Sequence, residues 1–173
     1  MNNTIPWFER KFEFPVPVEL LPSLLLRLRE TPARLEAAVA GCQPAVLTRK
    51  PGGSWSAQEH VGHLFDMEAL WLGRLNDFVE SKAELTPADL TNRKTHEAGH
   101  NSRQIADILR DFRSERNAML NRISEIDPLT HTISLPHPRL RTPMRLTDHL
   151  FFVAEHDDHH LTAIRELIAN TAP

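Results

Sequence analysis

The chain has 173 residues, of which 40% are apolar and 25% charged, and its formal net charge is −3 with histidine counted as neutral. This composition predicts one soluble globular domain over residues 1–173, with a core over about residues 17–170, and excludes global disorder. It also lacks the excess of basic residues that attracts nucleic acids or anionic membranes, so neither partner is expected. The single cysteine, Cys42, excludes an intrachain disulfide and a cysteine-based zinc site. The chain has ten histidines and no tyrosine, so any metal site would have to use imidazole and carboxylate ligands.

Neither a targeting segment nor a membrane span is expected. The charged residues Glu9, Arg10 and Lys11 stand where a signal peptide would need an apolar stretch. Apolar runs such as Leu24–Leu26 are far shorter than the ~20 residues of a membrane-spanning helix. The sequence therefore predicts a cytoplasmic protein.

Apolar residues recur at three- and four-residue spacing in four long blocks, which is typical of amphipathic helices. The first block covers about 18–40; Pro22 falls in its first turn, Pro32 would kink or divide it, and Gly41 would end it. The second block runs over about 57–81. Ser56 and Glu59 precede it as a capping box that sets its start.

The third block spans about 102–126, with Asn101 as the predicted N-cap, and the fourth about 146–170. Four such helices predict an all-α fold, a four-helix bundle. The connections between the second, third and fourth helices are each about 20 residues, which is long for a minimal bundle and often functional. Residues 131–135 alternate like a short extended segment, but no partner strand is evident.

Three histidine pairs have the spacing of a chelating pair. His156 and His160 lie one turn apart on one face of the fourth helix, so two ring nitrogens can reach one ion. On the second helix, His63 is predicted to face inward more than His60. The third pair, His96 and His100, is interrupted by a glycine and is the weakest ligand candidate. His149 shares the stripe of His156.

Each of these groups also has a structural interpretation. Inward histidines are often packed in a core without metal. Asp157 and Asp158 could orient an imidazole, although solvated surface carboxylates are the commoner case. Arg139, Arg141 and Arg145 could bind an anionic substrate or form an ordinary solvated loop. Three histidines from two helices would leave one coordination position open, which is the pattern of a catalytic metal site.

Two segments resemble a known family. Residues 55–64, Trp-Ser-Ala-Gln-Glu-His-Val-Gly-His-Leu, are similar to the W-[ST]-x-x-E-x-x-x-H-L segment of the DinB/YfiT-like family of metal-dependent enzymes. Residues 156–160, His-Asp-Asp-His-His, resemble the family's C-terminal H-x-x-H-H segment. The likeness extends over about 51–168. Gly62 departs from those relatives that carry a histidine pair at the first position.

The resemblance implies a four-helix bundle, often dimeric, that holds a divalent ion such as zinc or nickel through His63, His156 and His160. Characterised relatives include S-transferases and an isomerase that use low-molecular-weight thiols such as bacillithiol or mycothiol. The leading hypothesis is therefore a metal-dependent, thiol-dependent transferase acting on a small molecule, as a homodimer. The alternatives are a metal-dependent hydrolase that uses the same site and a non-catalytic helical bundle that binds metal or acts in stress response.

Overall fold

Four long helices account for most of residues 5–170, the part of the chain that the computed structural model describes. Helix α3 packs against α5 and α6, and α1 packs against the same two helices, so α1 and α3 lie diagonally opposite each other. The predicted four-helix bundle is confirmed. The helices and strands are α1 (Leu21–Val39), α2 (Pro44–Leu47), α3 (Ala57–Val79), α4 (Arg93–Glu97), α5 (Ile105–Ser124), β1 (Ser134–Pro136), β2 (Pro143–Arg145) and α6 (Leu146–Ala169).

Helix α1 is not divided at Pro32, which is buried inside it. A proline has no N–H, so it leaves the carbonyl four residues earlier without its helical hydrogen bond. That carbonyl, on Leu28, accepts a hydrogen bond from Nη1 of Arg116 on α5 at 3.1 Å. A side chain from a neighbouring helix thus replaces the missing donor, which explains why the helix tolerates this residue.

The predicted capping box of α3 is confirmed. The backbone N–H of Glu59 donates to the Ser56 hydroxyl at 3.0 Å, and the Ser56 N–H donates to the Glu59 carboxylate at 2.8 Å. The predicted start of α5 is wrong, because that helix begins at Ile105 after the N-cap Gln104. Asn101 instead accepts a hydrogen bond from the Ser56 hydroxyl and so joins the α4–α5 connection to the start of α3.

The extended segment before α6 has a partner that the sequence analysis did not identify. Strand β1 pairs antiparallel with β2, with the buried Leu135 opposite the buried Met144. The strands have three residues each and both contain a proline, so alternation alone gives little signal. This hairpin presents the intervening residues 137–142 to one side of the bundle.

A polar layer separates two apolar clusters along the bundle. On each long helix, apolar positions of one cluster precede a buried polar residue, and those of the other follow it. The polar residues of this layer are Thr31, Glu68, Arg116 and Asp157. Among the described helices, none combines the length and hydropathy that crossing a membrane requires.

Candidate functional site

The three histidines predicted as ligands converge between α3 and α6. His63, His156 and His160 are all buried, with 4%, 4% and 6% of their surface exposed. The Nε2 atom of His156 lies 3.4 Å from Nε2 of His63 and 3.2 Å from Nε2 of His160. One ring nitrogen from each residue lies within 4.8 Å of the others. The spacing argument therefore chose the three residues that the fold brings together.

This spacing fits a shared divalent ion. Four ligands placed tetrahedrally at ~2.0–2.1 Å from zinc lie about 3.3–3.4 Å from one another. The two short nitrogen–nitrogen distances in the cluster, 3.2 and 3.4 Å, bracket that value. Three protein ligands also leave one tetrahedral position open. The cluster is thus able to hold a metal ion.

The electrostatic setting keeps these imidazoles neutral, which metal binding requires. Burial lowers the pKa of His63 to about 4. Burial also lowers the pKa of His160 well below its ordinary value, and a positive charge on His156 or His63 would lower it further. The pKa of His156 is lowered by the same causes. At neutral pH each ring therefore retains a lone pair.

A chain of hydrogen bonds fixes the tautomer of His63. The Thr95 hydroxyl donates to the Asp66 carboxylate at 2.9 Å, so it accepts from Nδ1–H of His63 at 3.0 Å. Nε2 of His63 is then unprotonated and faces the other two imidazoles. The same Asp66 oxygen lies 2.8 Å from Nε2 of His100, which holds the carboxylate from the other side. Support of this kind orients metal-binding histidines in proteins generally.

His60 lies next to the three-histidine cluster but is not part of it. Its Nδ1 lies 2.8 Å from Nδ1 of His160, and burial lowers its pKa to about 4. With both rings neutral, donation from Nδ1–H of His160 leaves Nε2 of that residue free to face the cluster. The inward preference predicted for His63 over His60 is confirmed.

The remaining histidines of the sequence analysis take other places. His96 is exposed beside Trp55, and His100 is buried against Asp66, so this pair does not chelate an ion together. The low rank of that pair as a ligand set agrees with its geometry. His149 lies away from the cluster beside Trp71 and Phe78, and its ring nitrogens have no hydrogen-bond partner among residues 5–170.

Gly62 is explained by the position of His100. A Cβ atom on Gly62 would lie 2.3 Å from the His100 ring. A histidine or any other side chain at this position would therefore displace His100 from Asp66. Some relatives carry a histidine pair here. The glycine of this chain instead leaves room for the hydrogen-bond chain behind His63.

The cluster opens into a cavity of about 340 Å³ with largely aromatic walls. Two of the walls, Trp7 and Phe8, come from the segment before α1, which the sequence analysis did not assign to the site. Arg10 fastens this segment to α6 through a 2.6 Å ion pair with Glu155. The sequence does contain a signal for this role, because Trp7 and Phe8 form an aromatic pair followed by a charged residue in a chain with only 6% aromatic residues. Trp55, Trp71 and Phe152 complete the aromatic walls.

The far side of the cavity carries positive charge. Arg74 on α3 is 1% exposed, and Arg139 extends from the β1–β2 connection. Of the three arginines considered as anion-binding residues, only Arg139 lines the cavity. Arg145 binds Asp148 at the start of α6 at 3.0 Å, and Arg141 is exposed. Arg74 was not identified from the sequence, because one arginine within a helical pattern carries no distinguishing signal.

The interpretation of Asp157 as a solvated carboxylate is wrong. Asp157 is 1% exposed, and it binds Nη1 of Arg116 at 2.6 Å. Arg116 also binds Glu68 at 2.7 Å, and burial raises the pKa of Glu68 to about 7. Asp158, by contrast, is partly exposed and forms ion pairs with Arg27 and Arg34.

Comparisons with known proteins agree with this fold. The family model of the DinB superfamily matches residues 27–164. The structure is similar to that of YfiT from Bacillus subtilis, described as a probable metal-dependent hydrolase with an unusual four-helix bundle topology; the TM-score is 0.79, the identity is 19%, and 93% of each chain is covered. A search of curated proteins gives no match. Because the family model covers most of its length, the chain belongs to the DinB superfamily.

Proposed function

We propose that the protein is a divalent-metal-dependent enzyme whose ligands are His63, His156 and His160. The observation that carries this proposal is the convergence of three neutral imidazoles, with Nε2 atoms 3.2 and 3.4 Å apart. We further propose that the whole chain acts as one domain, as a cytoplasmic homodimer, with zinc or nickel as the ion. Three imidazoles suit either of these metals.

The chain's own residues prepare the site for one ion and one small molecule. Thr95 and Asp66 hold the His63 ring in the tautomer with a free Nε2. Trp55 and Trp7 lie against the histidine rings and keep bulk water from their faces. When bound, the ion supplies a positive charge that lowers the pKa of a thiol or water at its open position.

The surroundings of the cluster favour a thiol as the nucleophile. A water molecule needs a nearby base to accept its proton, and the one carboxylate among the described residues lining the cavity is Asp89. Both Asp89 oxygens already accept hydrogen bonds, from Thr91 and from the backbone of Arg93. A thiol, whose pKa is about 8.5, needs far less assistance. We therefore propose a thiol-dependent S-transferase acting on a small electrophile.

Hydrolysis is the second candidate, and one observation favours it. YfiT, which has a similar fold, is described as a probable metal-dependent hydrolase. In that reaction, water would take the place of the thiol at the same three histidines. His159, which lines the cavity and is half-buried, would be an additional imidazole able to accept a proton.

The first test measures metal content by mass spectrometry in protein purified without a histidine tag. We expect about one equivalent of zinc or nickel in the natural protein and almost none in His160→Ala. His131→Ala, in the turn Pro128–Thr132 outside the cavity, is the matched control and should retain the metal. Equal, near-zero metal in all three proteins would support the non-catalytic bundle with packed histidines and contradict the proposal.

The second test separates the two reactions. Metal-loaded protein is incubated with a chloronitroarene and bacillithiol or mycothiol, and thioether formation is followed by mass spectrometry. We expect product only with both thiol and metal, and none from His160→Ala. In a parallel assay with a nitrophenyl ester, hydrolysis at equal rates with and without thiol, together with no thioether in the first assay, would instead favour the hydrolase.

A further inference from the structure

The end of the cavity away from the three predicted ligands contains two arginines that form no ion pair with a described residue. Among residues 5–170, no carboxylate forms an ion pair with Arg74 or Arg139, whereas the buried Arg116 has two such partners. The Nη2 atom of Arg139 is buried and has no hydrogen-bond partner in the described chain. Buried charge without a partner is costly. An anion from outside the chain would supply the missing ion-pair partner.

The hydrogen bonds of Arg74 leave part of its guanidinium available. Its Nε donates to the carbonyl of Thr86 at 2.8 Å, and its Nη1 donates to Nε2 of His137 at 3.2 Å. Within residues 5–170, Nη2 makes no hydrogen bond. Burial lowers the pKa of Arg74 to about 10; the charge of Asp77 acts against this shift and that of Arg139 adds to it, so the group remains positive at neutral pH. His137 adds no charge, because burial and the same two arginines lower its pKa to about 3.

Aromatic rings connect the arginine end to the histidine end. The guanidinium of Arg74 lies 5.4 Å from the Trp71 ring, and that ring lies 5.5 Å from the ring of His156. The guanidinium of Arg139 lies 5.9 Å from the Phe152 ring, whose neighbour Trp7 contacts His156 at 5.0 Å. A molecule that touches both ends must therefore lie along these rings.

We infer that Arg74 and Arg139 bind the carboxylate of a small planar, apolar substrate whose other end lies against the three histidines. The placement of the reacting end rests on the proposed function, whereas the binding of the carboxylate does not. A planar guanidinium matches a carboxylate well. The flat aromatic walls and the volume of about 340 Å³ favour a single ring or a short conjugated chain as the body.

The test uses benzoate and 3-phenylpropanoate as probes, with benzamide as the neutral analogue of benzoate. Binding to the metal-loaded full chain is measured by calorimetry for the natural protein, Arg139→Gln, Arg139→Lys and Arg74→Lys. The matched control is Arg141→Gln, which changes an exposed arginine of the same loop. Metal content and melting temperature are measured on each sample, so that loss of metal or fold is separated from loss of anion binding.

We expect at least one carboxylate probe to bind, and benzamide to bind about tenfold more weakly than benzoate. Arg139→Gln should weaken carboxylate binding by about tenfold while leaving benzamide unchanged. Arg139→Lys and Arg74→Lys should have smaller effects, and Arg141→Gln should have none.

Three outcomes overturn the inference. One is no binding of either carboxylate at millimolar concentration, and another is binding that Arg139→Gln leaves unchanged. The third is carboxylate binding that disappears on metal removal yet is insensitive to both arginines, since the metal would then be the anion's partner. Arginine-dependent binding to a protein that takes up no metal when it is supplied would instead retain this inference and contradict the proposed function.

Discussion

Two buried polar clusters share the middle of the bundle, and they differ in whether the chain completes them. His156 and Asp157 are neighbours on α6, about 100° apart around the axis, so one faces each cluster. Asp157 meets Arg116, and Arg116 in turn binds Glu68 and the carbonyl of Leu28. Among the described residues, the polar contacts of His156 are with the Nε2 atoms of two other neutral histidines.

The difference separates a structural cluster from a ligand-binding one. In the ionic cluster, donors face acceptors, and groups from all four long helices take part. In the histidine cluster, one ring nitrogen of each residue faces the other two, an arrangement that an ion would satisfy, and Nδ1 of His156 has no partner in the described chain. Burial alone therefore does not identify the site; the unmatched groups do.

The largest expected effect comes from breaking the ionic cluster. Arg116→Ala leaves two buried carboxylates and the Leu28 carbonyl without their donor. We expect the free energy of unfolding, measured by chemical denaturation, to fall by about 3–5 kcal/mol. The matched control is Arg113→Ala on the same helix, which breaks a largely exposed ion pair with Glu36. That loss should be at most about 1 kcal/mol, and equal losses for both variants would contradict the distinction drawn between the clusters.

A smaller effect is expected from the support behind His63. Alanine is normally better than glycine inside a helix by about 0.5–1 kcal/mol. In Gly62→Ala, however, the new Cβ would lie 2.3 Å from the His100 ring and push that ring from Asp66. We expect a loss of about 1–3 kcal/mol in the free energy of unfolding, together with weaker metal binding.

Gly73 on the same helix provides the control. Nothing lies within 4 Å of a Cβ built there. Gly73→Ala should therefore raise the free energy of unfolding by about 0.5–1 kcal/mol and leave metal binding unchanged. Two variants that both stabilise the protein would show that His100 moves without cost and that its contact with Asp66 does not support the site.

The sequence predicted the features that depend on local periodicity. The four helices, the capping box at Ser56 and the inward positions of His63 and His156 follow from spacing along single helices. Asp157 was misjudged because its burial depends on Arg116, a residue of another helix. Arg74 and Trp7 reach the cavity through the packing of distant segments, which one sequence does not encode in any short pattern. The helical pattern thus located the histidines, and the tertiary packing defined their surroundings.

The last expected effect, about 1.4 kcal/mol per pH unit, concerns His149, which is buried but belongs to neither cluster. Burial lowers the pKa of His149 well below its ordinary value, and the charge of Arg74 and a protonated His137 act in the same direction. Below about pH 6.5, the unfolded chain therefore binds a proton that the folded chain refuses. As the pH is lowered, the free energy of unfolding therefore falls by about 1.4 kcal/mol per pH unit for each such histidine. In chelator-treated protein, His149→Leu should make the slope shallower by that amount between pH 6 and 5.

At pH 7.5, the variant should be no less stable, because leucine removes two buried nitrogens without partners in the described chain. An unchanged slope would mean that the folded protein accommodates the charged ring, and that the interior beside Trp71 is more polar than its apolar neighbours indicate.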